Sequence, residues 1–298
     1  MNPLIVKYRL KIAAKAAAGR TLSLLPRPRL TAFPAVTLFI SNLNTRYPLE
    51  LTLNSLVRNT RYPNYTIWIG DNASTDGSLA FLESLRSRQS NIMITSSGEP
   101  RRHSDWLDDV FHQVQTPYWV AIDSDVLFLG SDWLADLIFT MENKLNLFLM
   151  SAEPKITLEN YHDPYSGGIV DTAFVPSTWL FCVRTALRER ISASFAWSKE
   201  GVSPKTGNPI VYDTGGKVLR AMREQNLTYD VMPNWFTMKY HHFGSLSWIH
   251  EHDLPNAYGM LKRYQSEDIK RRVLRGTNVA GWRVKPPRST KTTKKGRA

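Results

Sequence analysis

Residues 118–130 read YWVAIDSDVLFLG, a run of strand-forming side chains broken by Asp123 and Asp125 with Ser124 between them. Aspartate is depleted in strands, and a carboxylate without a partner is costly to bury. A hydrophobic strand that ends in two of them points to an edge where the charges have a use. A turn at that edge lets both carboxylates face outward onto one oxygen-ligated cation. Mg²⁺ and Mn²⁺ are typically held this way, with substrate phosphates completing the shell. A pair of solvated turn aspartates is the plainer alternative.

Working outward from this strand, elements alternate. AVTLFI (35–40) reads as a strand, and PLELTLNSLVRNT (48–60) as a helix with Pro in its first turn. YTIWIG (65–70) is a second strand, followed by a helix over about 78–88 with Asp76 as its N-cap. NIMIT (91–95) is a third strand, and a helix follows with apolar spacing at Trp106, Leu107, Val110 and Phe111. Such alternation predicts an α/β fold, a Rossmann-like, mostly parallel sheet with helices on both faces. Ligands bind such sheets at the strand carboxyl ends. Both DNASTDG (71–77) and DSD (123–125) fall there. The second half is less regular, with WLFCV (179–183) and LTYDVM (227–232) as strands and GGKVLRAMREQ (215–225) as a helix.

The chain of 298 residues is 42% hydrophobic with nine Trp, enough for a sizeable core. One cysteine, Cys182, excludes an internal disulfide and suits a reducing compartment; its apolar setting marks it as a core residue. No apolar run approaches the ~18 residues that span a bilayer. Lys11 and Lys15 interrupt the N-terminal apolar stretch, which is not expected to act as a signal peptide. The net charge of +12 is uneven: residues 1–34 carry seven Lys/Arg and residues 270–298 eleven, neither with an acid, so the body between is −6. A duplex-binding protein more often spreads basic charge across its folded face.

Three blocks, VTLFISNLNTR (36–46), LTLNSLVRNTRYPNYTIWIGDNASTDGS (51–78) and YWVAIDSDVLFLGSDWL (118–134), resemble in order and spacing the inverting, GT-A-fold glycosyltransferases of the large family 2 type. The resemblance is specific over 35–140, looser over 165–250, and absent from the basic ends. It implies a nucleotide-diphospho-sugar transferase, hexosyltransferase-like, moving one sugar to an acceptor hydroxyl with inversion. In that family's pattern Asp71 accepts a hydrogen bond from the nucleotide base, Asn44 and the backbone near Ser41 flank base and ribose, and Asp123, Ser124 and Asp125 form the Asp-x-Asp motif. Asp123 would meet ribose or metal and Asp125 the metal diphosphate. Arg101, Arg102 or His103 lies where a group near the donor phosphates often sits, with solvated surface an equal reading.

The family's base is usually the aspartate of a Glu-Asp pair before a helix. VYDTGGKVLR (211–220) matches that place, so Asp213 is the candidate base, although Tyr212 stands where the family has Glu; an N-cap role is the alternative. KYHHFGSLSW (239–248) resembles the late His-x-Gly-x-x-Ser segment, with His242, Gly244 and Ser247 in register. A neutral imidazole suits Mn²⁺, which makes His242 the third ligand beside Asp123 and Asp125, with His241 its rival and a core histidine the alternative. The absence of Gln-x-x-Arg-Trp argues for single transfer over polymerisation. Trp179, Trp197 and Trp235 are candidates for a sugar-stacking platform or for core.

The resulting organisation is a basic segment at 1–34, one GT-A catalytic domain at 35–275, and a basic tail at 276–298. Within the domain, 35–140 is the nucleotide-sugar half and 141–275 the acceptor half. Implied partners are a UDP-, GDP- or dTDP-sugar and a glycan, lipid-linked, protein or modified nucleic-acid acceptor, with Mn²⁺ or Mg²⁺ as cofactor. Lys7, Lys11 and Lys15 form one stripe on a helix, with Ile5, Tyr8, Ile12 and Ala16 on a neighbouring face. That pattern suits an anionic membrane surface, or a frayed, solvated helix. The expected location is the cytoplasm, with the inner membrane face open to the basic ends. Two other readings stay open: a nucleotidyltransferase, against which no Gly-rich basic loop follows the first strand, and a nucleic-acid-binding protein with a non-catalytic GT-A body.

Overall fold

The computed structural model describes residues 3–24, 30–87, 89–154, 157, 159–162, 168–173 and 176–243. Gly244, Ser247 and the basic tail at 276–298 lie outside the described residues. The chain opens with helix α1 (Pro3–Leu22), then β1 (Val36–Asn42), α2 (Arg46–Asn59), β2 (Tyr65–Asp71), α3 (Ser78–Arg86), β3 (Ile92–Ser96), α4 (His103–Gln113) and β4 (Tyr118–Asp123). Next come β5 (Val126–Phe128), α5 (Trp133–Glu142), β6 (Leu147–Ser151), β7 (Tyr161–His162), β8 (Ile169–Thr172) and β9 (Leu180–Arg184). The described part closes with β10 (Ser198–Val202), β11 (Pro209–Tyr212), α6 (Gly216–Glu224), β12 (Thr228–Val231) and β13 (Tyr240–His242).

A seven-stranded sheet in the order β12-β6-β9-β4-β1-β2-β3 forms the centre. β4, β1, β2 and β3 are mutually parallel, while β9 runs antiparallel to both β4 and β6. Alternation along the strands divides the core. Leu38, Ile40, Ile67, Ile69, Val120 and Ile122 face α2, α3 and α5. Phe39, Trp68, Trp119 and Phe181 face α4 and α6. Both faces are covered, which is why β1 and β4 read as near-continuous apolar runs. Cys182 is fully buried in the first of these layers, and that burial pushes its thiol pKa up, as a core residue requires.

The register matters for function. Ser41 pairs with Asp123 across β1 and β4, and Asn42 pairs with Asp71 across β1 and β2. Three strand ends therefore deliver their polar residues to one edge. The stretch 118–130 is not one strand: β4 stops at Asp123, the chain turns through Ser124 and Asp125, and β5 pairs with β13 as a separate antiparallel ribbon.

Helix α1 packs on the body. Ile12 is buried, and Gly19 approaches so closely that a Cβ there would lie 2.7 Å from the Met238 carbonyl oxygen and 3.5 Å from Gly130 Cα. Lys15 leaves the expected basic stripe: its Nζ donates to the Tyr240 carbonyl (3.3 Å). Ser23 Oγ donates to the Ser131 carbonyl (3.0 Å). The Ile12 face is thus used for intramolecular packing.

Candidate metal and donor site

The edge at β1, β2 and β4 is a buried polar network. Asn42 Nδ2 donates to Asp71 Oδ1 (2.8 Å) and to Ser74 Oγ (3.0 Å), while Thr45 Oγ1 donates to Asn42 Oδ1 (2.6 Å). Thr45 and Ser124 hydroxyls are hydrogen-bonded at 2.6 Å, and Thr52 Oγ1 donates to the Ser124 carbonyl (2.8 Å). The turn between the two aspartates is therefore fixed by α2 and by the cap residue before it. Asp71 is almost fully buried, and its Oδ2 accepts the Ser74 N–H (3.1 Å). Asn44, at φ +50°, holds the 71–77 loop by accepting the Thr75 N–H at Oδ1 (2.8 Å). Left-handed backbone is tolerated by asparagine more readily than by most residues.

Asp76 lies one position before the helix cap proper, which is Gly77 at φ +84°. Its Oδ1 accepts the Ser78 N–H (3.1 Å) and its Oδ2 the Arg46 N–H (2.7 Å). One carboxylate thus serves the N-termini of α2 and α3 together, where the helix dipoles favour negative charge. The expected N-cap place is thus held by Gly77, while the Asp76 carboxylate one residue before it serves both helix ends.

Asp123, Asp125 and His242 come together with one ligand atom from each lying within 4.8 Å of the others. His242 reaches the pair because β13 lies beside β5: His242 is opposite Val126, and the Phe243 N–H donates to the Asp125 carbonyl (3.1 Å). Its Nε2 is 3.2 Å from Asp125 Oδ1 and 3.8 Å from Asp123 Oδ2. Nε2 is buried at this approach to Asp125. Burial opposes the imidazolium, but Asp125, Asp123 and Glu153 outweigh it and raise the His242 pKa above the ordinary value. Three donors, two carboxylate and one imidazole, aimed at a shared position suit a divalent cation. Only 6% of the Asp125 side chain is exposed against 33% of Asp123, so Asp125 is neither an outward-facing ligand nor a solvated turn aspartate.

Residues 37–181 match the family model Glycosyl transferase family 2. The chain thus carries a region like the family 2 glycosyltransferases across the strands that build the site. That match supports sugar transfer from a nucleotide-sugar donor. Among solved structures it is similar to the mannosyltransferase PcManGT from Pyrobaculum calidifontis in complex with GDP-Man and Mn²⁺, at a TM-score of 0.53 and 16% identity, covering 93% of this chain and 84% of that one. That likeness establishes the GT-A fold. S. aureus TarS 1–349 with UDP-GlcNAc aligns at a TM-score of 0.41 and 14% identity over 80% of this chain and 70% of its own. No curated protein sequence matches the chain.

Strand alternation separates the adjacent histidines. His241 points to the other side of β13, edge-on to Phe243, where burial first and then Lys15 and Lys11 hold its pKa down to about 4. His242 instead stacks flat on Trp179, with ring centroids 4.2 Å apart and planes at 14°. Trp179 also accepts the Asp123 N–H at its carbonyl (2.9 Å) and donates from Nε1 to Glu153 Oε2 (3.3 Å). This residue, expected from sequence to be a sugar platform or core, supports two of the three cluster members. No local signal in WLFCV marks that role; it exists because β9 lies against β4.

Asp213 follows β11, a strand of the separate four-stranded sheet β10-β11-β8-β7, in the turn that leads to α6, and is not among the three clustered ligands. Its Oδ1 accepts from Thr214 N (2.7 Å) and Oγ1 (3.2 Å). Gly215, at φ +76°, is the cap, and a Cβ there would meet Pro176 and Phe195 at 3.0 and 3.1 Å. His103 Nδ1 lies 3.1 Å from Ser41 Oγ, and burial of the ring holds its pKa down to about 4, so it is neutral at pH 7 and offers no cation to a phosphate. Arg101 pairs with Asp109 (2.7 Å), and Arg102 lies 4.6 Å from the Trp197 ring centroid. Asn72, unmarked in the sequence reading, accepts at Oδ1 from Arg101 N (2.7 Å) and Trp106 Nε1 (3.0 Å), tying the β2 end to α4.

Proposed function

We propose that this protein is a metal-dependent, inverting glycosyltransferase that moves a single sugar from a UDP-, GDP- or dTDP-sugar to an acceptor hydroxyl. The observation that carries the proposal is the convergence of Asp123, Asp125 and His242 at the carboxyl end of β4. These residues would hold Mn²⁺ or Mg²⁺, which supplies Lewis-acid stabilisation of charge on the leaving nucleoside diphosphate. Mn²⁺ and GDP-Man occur together in the mannosyltransferase that shares the fold, and this supports the pairing of cation and nucleotide sugar.

The chain's own groups divide the remaining work. Ser41, Asn44 and Asp71 bind the nucleoside, since a carboxylate oxygen accepts more than one hydrogen bond and Asp71 retains capacity beyond Asn42 and Ser74. Ser124 fixes the turn that spaces the two aspartates. Asp213 takes the acceptor proton as the hydroxyl attacks the anomeric carbon; its bonds to Thr214 orient the carboxylate. The acceptor is a glycan, a lipid-linked glycan, a protein or a modified nucleic acid, and the enzyme works in the cytoplasm.

The test is product formation and donor hydrolysis over a panel of UDP-, GDP- and dTDP-sugars with Mn²⁺, with Mg²⁺ and with chelator. Activity on one donor class that chelation removes and Mn²⁺ restores is the expected result, with an inverted anomeric configuration in the product. Full activity in chelator would remove the metal from the proposal.

A further inference from the structure

Among the described residues, helix α1 packs on the body with one apolar side and leaves a second apolar line exposed. With 3.6 residues per turn, Ile12 and Gly19 lie on the side that packs against the 234–239 segment, β13 and Gly130. On the opposite side Val6 (38% exposed), Leu10 (65%), Ala13 and Ala17 follow one another at helical spacing, and Leu24 (84%) continues the line just past the helix end. Arg20, exposed, lies beside that line, and exposed Lys11 lies at the border with the packed side. The first 34 residues hold seven Lys/Arg and no acid.

We propose that this outward face of α1 is a docking surface for an anionic lipid bilayer. An apolar line with basic neighbours is the pattern that lies in a membrane interface, the apolar side chains below the headgroups and the cations among them. The charge pattern selects this occupant over the others. A second copy docking through the same face would bring two segments of +7 together with no acid to offset them. A nucleic acid would engage the cations and leave Leu10 and Leu24 in water. A bilayer of acidic lipids satisfies both chemistries at once. The surface also has a position relative to the site: α1 packs on β13, the strand that carries His242, so docking sets the metal cluster beside the membrane plane.

The experiment uses the full chain and vesicles of phosphatidylcholine with or without 30% phosphatidylglycerol. Co-sedimentation is expected with the anionic vesicles and not with the neutral ones. Leu10→Glu and Leu10→Lys are both expected to weaken partitioning at least ~10-fold with unchanged melting temperature, because Leu10 is exposed and binding strength scales with buried apolar area plus charge attraction. The lysine variant separates this surface from the basic C-terminal segment. If Leu10→Lys binds as well as the wild type, attachment is by charge alone and the proposal is overturned. A Leu10→Cys protein carrying an NBD fluorophore, with buried Cys182 unlabelled in the folded chain, is expected to blue-shift on anionic vesicles. No shift overturns insertion at this face. A concentration-dependent dimer that Leu10→Glu abolishes, with no vesicle binding, assigns the face to a second copy instead. None of these readouts depends on sugar transfer, so their failure is distinct from failure of the catalytic reading.

Discussion

The site is built from two regions of different construction. The β1/β2/β4 edge is a dense network in which Asn42, Thr45, Asp71, Ser74 and Ser124 bond to one another within a parallel sheet. The β5/β13 ribbon, which brings His242 to Asp125, is held from outside. Buried Lys239, at its start, is paired with Asp136 of α5 and donates from Nζ to the Ser131 carbonyl (3.1 Å); its own carbonyl accepts the Leu129 and Gly130 N–H groups. The first region is held by bonds among its own members, while the second depends on partners in α5 and the turn before it. The β1/β2/β4 edge should therefore tolerate perturbation of the ribbon, and the Asp123/Asp125/His242 cluster should not.

Breaking the shared member gives the largest effect. Asp125→Asn, which keeps the buried shape, should reduce transfer on the order of 10⁴-fold by removing several kcal/mol of transition-state stabilisation. Nucleotide binding should lose its Mn²⁺ dependence while the melting temperature changes little. Unimpaired transfer in this variant would take the acidic pair out of the mechanism. Asp213→Asn belongs to neither region and should lower turnover ~10²–10⁴-fold with donor affinity unchanged. A collapse in donor binding, measured by titration calorimetry, would instead assign Asp213 to the donor side.

Lys239→Met attacks the ribbon's anchor. It leaves the Asp136 carboxylate buried without its partner, and denaturant melts should show a loss of ~3–5 kcal/mol. Adding Asp136→Leu should recover most of that stability, since apolar replacement of a buried pair is often neutral. A cost no greater than that of a surface substitution would show that the pair does not anchor β13. Trp179→Leu is milder: without the stacked indole, Mn²⁺ affinity should fall ~10–100-fold, the usual range for a support behind a ligand, while metal-free nucleotide binding holds. Trp179→Phe should restore part of the affinity; equal loss in both variants would mean that stacking is not what orients His242.

The smallest effect sharpens the other region. Burial holds the His103 pKa at about 4, below its value near 6.5 in the unfolded chain. The unfolded chain therefore binds more protons between those values, and His103 lowers stability as pH falls from about 6.5 to 4. His103→Gln should flatten that part of the urea-melt stability profile while leaving the Mn²⁺ titration unchanged. An unaltered slope would mean that the imidazole is not enclosed against Ser41.

By itself the sequence determined the alternating α/β order, the sheet edge as the place where polar strand ends gather, and the Asp123/Asp125 pair at that edge. These follow from short-range rules: apolar period, turn residues, and charges placed where a buried strand ends. They place a turn at the aspartate pair but not the departure of Val126–Phe128 from the main sheet, because strand propensity continues through that segment and only pairing with β13 shows where it goes. They marked Asp71 but not Asn42, Thr45 or Asn72, whose importance lies in hydrogen bonds across strands. They left His241 and His242 as rivals, since alternation says that neighbours face opposite ways and not which way the site lies. Only the tertiary structure decided that His242 faces the carboxylates and Trp179, and that α1 spends its Ile12 face on the body. Both outcomes are contacts between segments far apart in the chain, set by register and packing that no local pattern encodes.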